Sequence, residues 1–150
     1  MDDTRAGAGN ARRIGVMTAS HAFKPERLHD EPSLTGYLHV IVGPHEMPQR
    51  CLWVLFLDAD CWSTPVVVAI DDIPREPCPG TVDGLLGMVA STIESRLPGG
   101  QIALALERPG SPWPRADDVG WARMLDDAAR RRDVVLRGTY LSVKGYVRRL

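Results

Sequence analysis

The spacing of apolar residues changes period several times along the chain, and each change predicts an element. Val82, Leu85, Leu86, Val89, Ile93 and Leu97 recur at three- and four-residue steps, the stripe of one helix face over residues 82–96. Pro98-Gly99-Gly100 closes that helix as C-terminal glycines do. Residues 102–106 are continuously apolar, which predicts a buried strand. Val119, Ala122, Leu125 and Ala129 then give a second helix its stripe. Asp117 and Asp118 suit the positive start of that helix, and Arg130, Arg131 and Arg132 suit its negative end.

Upstream, residues 51–57 and 66–70 are rich in β-branched and aromatic side chains. They flank the polar turn Asp58-Ala59-Asp60 and predict a buried hairpin. Residues 37–42 read as a first or edge strand ending at Gly43-Pro44, and residues 134–136 and 140–147 as two closing strands. Residues 1–33 lack a periodic apolar face, which predicts a flexible or loosely docked arm whose removal leaves the thermal midpoint nearly unchanged. The domain proper is then 34–150. Its order of hairpin, helix, strand, helix and strands predicts an α/β (α+β) fold, a mixed sheet flanked by helices.

Composition narrows the classes of function. A chain of 150 residues with 44% hydrophobic and 25% charged content fits one soluble globular domain. The formal net charge of -1 offers no global attraction for nucleic acid or an anionic membrane. No apolar run reaches the length of a membrane span, and Met1-Asp2-Asp3 does not open a signal peptide, so a cytoplasmic protein is expected. Cys51, Cys61 and Cys78 are odd in number and far apart, the pattern of buried structural thiols rather than of a disulfide framework or zinc ribbon.

The most informative stretch is Leu106-Glu107-Arg108-Pro109-Gly110-Ser111, Pro112-Trp113-Pro114, then Arg115-Ala116-Asp117-Asp118-Val119. An apolar strand runs into a proline-rich turn that delivers two aspartates to a helix start. Together with Val54-Leu55-Phe56-Leu57-Asp58 and a following strand that ends in Asp71-Asp72, it resembles the RadC-type JAB/MPN domain over roughly the last two thirds of the chain. That family carries His-x-His-Pro-Ser-Gly and Ser-x-x-Asp in this frame, and one residue must be deleted in the turn to keep register. The resemblance implies an MPN-like fold and a zinc site of two histidines and one aspartate. It also implies a hairpin glutamate that moves protons and a serine that helps stabilise an oxyanion.

In this chain the histidine positions are Leu106 and Arg108, the serine position is Arg115, and Asp118 alone keeps a ligand type. Asp71 or Asp72 stands near the acid position. Leucine has no lone pair and arginine does not deprotonate, so neither can replace imidazole on zinc. The resemblance therefore implies a vestigial site with no metal, no cofactor and no catalytic residue, in a pseudoenzyme that acts through protein contacts or as a scaffold. A homodimer and a DNA-associated process follow from the resemblance only. If the frame is right, Arg108 and Asp118 should pair across the space a metal would fill, with Leu106 packing beside them.

Other residues leave alternatives open. His21, His29, His39 and His45 lack metal-ligand spacing, and a hydrolase with a rearranged metal site is the reading they would have to support. Ser111, without a neighbouring histidine, reads as a turn residue or helix-cap contributor rather than a nucleophile. The clusters Arg130-Arg131-Arg132 and Arg148-Arg149 fit either a DNA- or RNA-binding accessory protein or solvated ends of elements, with Asp126, Asp127 and Asp133 alongside. Trp113, held between Pro112 and Pro114, is either a lid packed over the vacated pocket or an exposed anchor for a partner.

Overall fold

A computed structural model describes residues 14–18, 23–42 and 49–150. They form a mixed α+β domain around a six-stranded sheet in the order β1-β3-β2-β4-β5-β6. The strands are β1 (Ile14–Thr18), β2 (Cys51–Leu57), β3 (Ser63–Asp71), β4 (Gln101–Glu107), β5 (Val135–Val143) and β6 (Tyr146–Arg149). The helices are α1 (Glu31–Val42), α2 (Pro79–Arg96) and α3 (Ala116–Arg131). Every neighbouring strand pair is antiparallel except β4 and β5, which are parallel with α3 between them in sequence.

Side chains alternate between two cores. Val54, Val68, Ile102, Leu104, Leu106 and Leu141 pack with Leu86, Val89, Trp121 and Leu125 of α2 and α3. The intervening residues Trp53, Leu55, Val67, Ala103, Ala105 and Tyr140 pack with Leu34, Leu38 and Val42 of α1. With both faces covered, β2 and β4 are buried along nearly their whole length, which is why they read as continuous apolar runs.

The expected strand over residues 37–42 is instead the second half of α1. Its helical signal lies upstream of the apolar run. Asp30 Oδ1 accepts from Ser33 N at 2.8 Å while Ser33 Oγ accepts from Asp30 N at 3.3 Å, a reciprocal cap, and Leu34, Leu38 and Val42 repeat every four residues. The two expected closing strands are also redrawn. Residues 135–143 form one strand that passes Gly138 with a register shift opposite Ile102/Leu104. The break falls at Lys144-Gly145, where Val143 pairs with Tyr146 and both turn residues have positive φ (49° and 83°), the conformation that a two-residue hairpin turn needs.

The described parts of the expected arm are built into the domain. Ile14–Thr18 pairs with β3 as an edge strand. Residues 26–28 latch onto the β2–β3 turn: Leu28 N donates to Cys61 O at 2.8 Å, Ser63 N to Glu26 O at 2.8 Å, and Glu26 N to Ser63 Oγ at 2.9 Å. Leu28 is fully buried in the α1-side core. Leu28→Ala is therefore expected to cost about 2–5 kcal/mol, as cavity-forming core truncations do. Chemical denaturation checks this, and a loss below about 1 kcal/mol would show that the latch is only superficial.

Candidate functional site

β4 ends at Glu107, and the chain then turns through 109–114 into α3. Arg108 is the first residue past the strand, and its side chain is completely buried. Its Nε donates to Asp118 Oδ1 at 2.9 Å and its Nη2 to Asp118 Oδ2 at 2.8 Å, a two-point contact with a carboxylate that is itself fully buried. The remaining donors reach backbone carbonyls of the turn. Nη1 meets Pro109 O at 3.1 Å and Ser111 O at 2.8 Å, while Nη2 also meets Trp113 O at 2.9 Å. All five N–H groups of the guanidinium are thus engaged, which makes its burial tolerable. Asp118 Oδ2 also accepts from Arg115 N at 2.8 Å, fixing the first turn of α3.

A second ion cluster abuts the first. Asp117 Oδ2 accepts from Arg75 Nε at 2.7 Å and Arg50 Nη2 at 3.2 Å, and Asp117 Oδ1 accepts from Asp118 N at 3.1 Å. Burial alone would raise the Asp117 pKa, but the bond from Arg75 and the charge of Arg50 hold it below the usual carboxylate range. Trp121 Nε1 donates to Arg75 O at 3.0 Å and so ties the 74–78 loop to α3. Arg50 and Arg75 carried no signal in the sequence, because both reach Asp117 from more than forty positions away.

The structure pairs Arg108 with Asp118, while Leu106, two residues before Arg108, is wholly buried in the α2/α3-side core. It does not bring Asp71 to them. Asp71 pairs with Cys51, Cys51 with Glu107, and Glu107 with Ser142 in one row across the sheet. That row faces α1, so the sheet separates it from Arg108. Asp72 follows β3 as an exposed residue with φ of 55°. The Arg115 guanidinium stays outside the pair and leans over Gly110, whose φ of 101° excludes a side chain without strain.

Trp113 corrects the lid expectation, being 68% exposed with the Arg148 guanidinium 4.8 Å from its ring centroid. Its carbonyl accepts from the buried Arg108 guanidinium while its ring lies out on the surface. Pro112 and Pro114 flank it on the same exposed turn. Ser111 Oγ accepts from Trp113 N at 3.4 Å, a turn role as expected.

The remaining arginines are dispersed. Arg130 pairs with Asp126, Arg131 with Asp83 and Arg149 with Glu31, while Arg132 lies against α2 beside Gly87. Arg148 and Arg149 leave opposite faces of β6. His29 contacts Asp30 at 3.4 Å and His39 is exposed on α1, whereas His21 and His45 lie outside the described residues. Of the cysteines only Cys51 is buried; Cys61 is half-buried in a turn with φ of 68° and Cys78 is exposed, so the expectation of three buried thiols fails for two.

The sheet row facing α1 holds a group the motif reading passed over. Glu107 is 4% exposed, and its carboxylate accepts from Trp53 Nε1 at 3.4 Å. Burial pushes its pKa up to about 7, with the Trp53 bond pulling slightly the other way. Beside it the Cys51 thiol donates to Asp71 Oδ1 at 3.4 Å; burial first, then the two carboxylates, hold that thiol protonated. One acidic residue ending an otherwise apolar strand is the signal that could have singled out Glu107.

No protein-family model matches this chain, and no curated protein matches it.

Proposed function

We propose that the chain is a degenerate MPN/JAB domain of the RadC type, a pseudoenzyme that acts as a protein-interaction or scaffold module, in the cytoplasm and in a DNA-associated process. The observation that carries this reading is the state of Asp118. Both of its oxygens are committed, to the Arg108 fork and to the Arg115 amide. Zinc needs several neutral or anionic ligands around an open position. The residues in the resembling frame are a leucine, a guanidinium and this already engaged carboxylate, and they do not fit the metal. A fixed cation standing beside Asp118 supplies the counter-charge that a metal would supply in an active relative, without the capacity to bind and acidify water.

Among the described residues no helix is long and apolar enough to cross a membrane. The partners of a scaffold role would include a second copy of the chain, since MPN domains often pair.

The full chain, purified and dialysed against a weak chelator, is expected to hold far less than about one zinc per molecule, because retention of zinc requires a complete ligand set. It is also expected to leave peptide and isopeptide substrates intact. Elemental analysis finding stoichiometric zinc, or zinc-dependent cleavage, would reject the proposal in favour of a hydrolase with a rearranged site.

A further inference from the structure

The exposed edge at β6 has a chemistry that the scaffold reading does not use. Trp113 and Tyr146 are 68% and 66% exposed, although large aromatic rings are ordinarily covered. Arg148 stands over one face of the Trp113 ring, 4.8 Å from its centroid. Tyr146 and Arg148 occupy alternate positions of one short strand and so project to the same side. Arg148 pairs with Leu141, whose side chain packs in the α2/α3-side core, so that side is also where the 109–114 turn lies. Lys144 is exposed at the hairpin tip, one turn residue away from Tyr146. Arg115 stands at the other end of the Trp113 turn.

The side chains of Lys144, Arg148 and Arg115 take part in none of the ion pairs among the described residues, which engage His29, Arg50, Arg75, Arg108, Arg130, Arg131 and Arg149 instead. The edge is therefore positive locally on a chain whose net charge is -1. The backbone that carries the tryptophan is also held in place. Arg108 donates to the carbonyl of Trp113 itself and to those of Pro109 and Ser111, so little backbone freedom remains to be lost on binding.

From these observations we infer that the β6 edge is a binding shelf for single-stranded nucleic acid. Bases would stack on Trp113 and Tyr146, and Arg148, Lys144 and Arg115 would meet the phosphates. Two open rings interleaved with cations suit unpaired bases, whose faces are free; a duplex hides those faces and would gain only the phosphate contacts. An acidic protein partner could match the three cations, but it brings no flat unpaired bases to stack on the two exposed rings. This inference goes beyond the scaffold proposal and does not depend on the zinc result.

The test is a fluorescence anisotropy titration of the full chain against a labelled oligothymidine of about 15 nucleotides, a length that spans one such site. Saturable binding is expected at low salt, with a slope of log affinity on log salt near about -2 for three phosphate contacts. Trp113→Ala and Tyr146→Ala should each weaken binding about tenfold, the scale of one lost base stack. Arg148→Ala should also weaken it and make the salt slope shallower by about 0.7, the share of one contact on a single strand. All three side chains lie at the surface, so unchanged thermal midpoints will show that the variants fold.

Absence of saturable binding, equal affinity for a duplex of the same length, or affinity unmoved by all three substitutions would each overturn the inference. So would a protein partner captured through Trp113 by a chain that binds no oligonucleotide.

Discussion

Arg108→Met is expected to lower folding stability by about 3–5 kcal/mol, the range for stranding one member of a buried ion pair. The loss has two parts. Asp118 would keep a buried negative charge with only the Arg115 amide to satisfy it. The carbonyls of Pro109, Ser111 and Trp113 would lose the donors that shape the turn. The first part disappears if the carboxylate goes too, and the second does not. Arg108→Met with Asp118→Leu should therefore be more stable than the sum of the two single losses by about 2–3 kcal/mol, yet remain below the parent chain. Urea denaturation of the four proteins measures this directly. Additive losses would mean that the two side chains do not depend on each other, against the geometry that places two hydrogen bonds between them.

Stability should also fall as pH rises through neutrality, and Glu107 is the reason. Its pKa in the folded chain is raised to about 7, above the ordinary carboxyl value of 4.5. The folded state therefore favours the protonated form. The contribution is fully present below pH about 4.5 and is lost as pH climbs through about 7, amounting to about 3 kcal/mol for a shift of this size. Glu107→Gln keeps an acceptor for Trp53 Nε1 and removes the titration. The variant should match the parent near pH 5 and exceed its thermal midpoint near pH 8, by several degrees on the scale of about 2–4 °C per kcal/mol for a domain of this size. Parallel pH profiles for the two proteins would show that Glu107 ionises freely.

Much of the fold was legible because several elements carry their own signal. The stripe at Val82, Leu85, Leu86 and Val89 marks α2, and the unbroken run from Cys51 to Leu57 marks a strand buried on both faces. The hairpin of β2 and β3 followed from two such runs beside one polar turn. The helix start at Asp117 and Asp118 was equally local, because a helix dipole acts within its first turn. Tyr37 to Val42 misled because a short apolar run has no period of its own; the deciding cap at Asp30 and Ser33 stands outside it. β1 was missed because its partner β3 lies about fifty residues away in the chain, and an edge strand needs only that partner's free hydrogen-bonding groups.

At the site, sequence by itself determined which residue types meet: a leucine near the end of a buried strand, a guanidinium just past that strand, and an aspartate in the first turn of a helix. Their proximity follows from a strand, a short turn and a helix, all local in the chain. Only the tertiary structure decided the rest. Arg50 and Arg75 reach Asp117 across long separations in sequence. Asp71 falls on the opposite face of the sheet because residue parity in a strand is fixed by its cross-strand register. Trp113 lies outward, its carbonyl tied to the buried Arg108 and its ring beside Arg148, on a strand from the far end of the chain. Glu107 becomes a near-neutral titrating acid only once two layers of packing exclude water from it, a property of burial that no local pattern encodes.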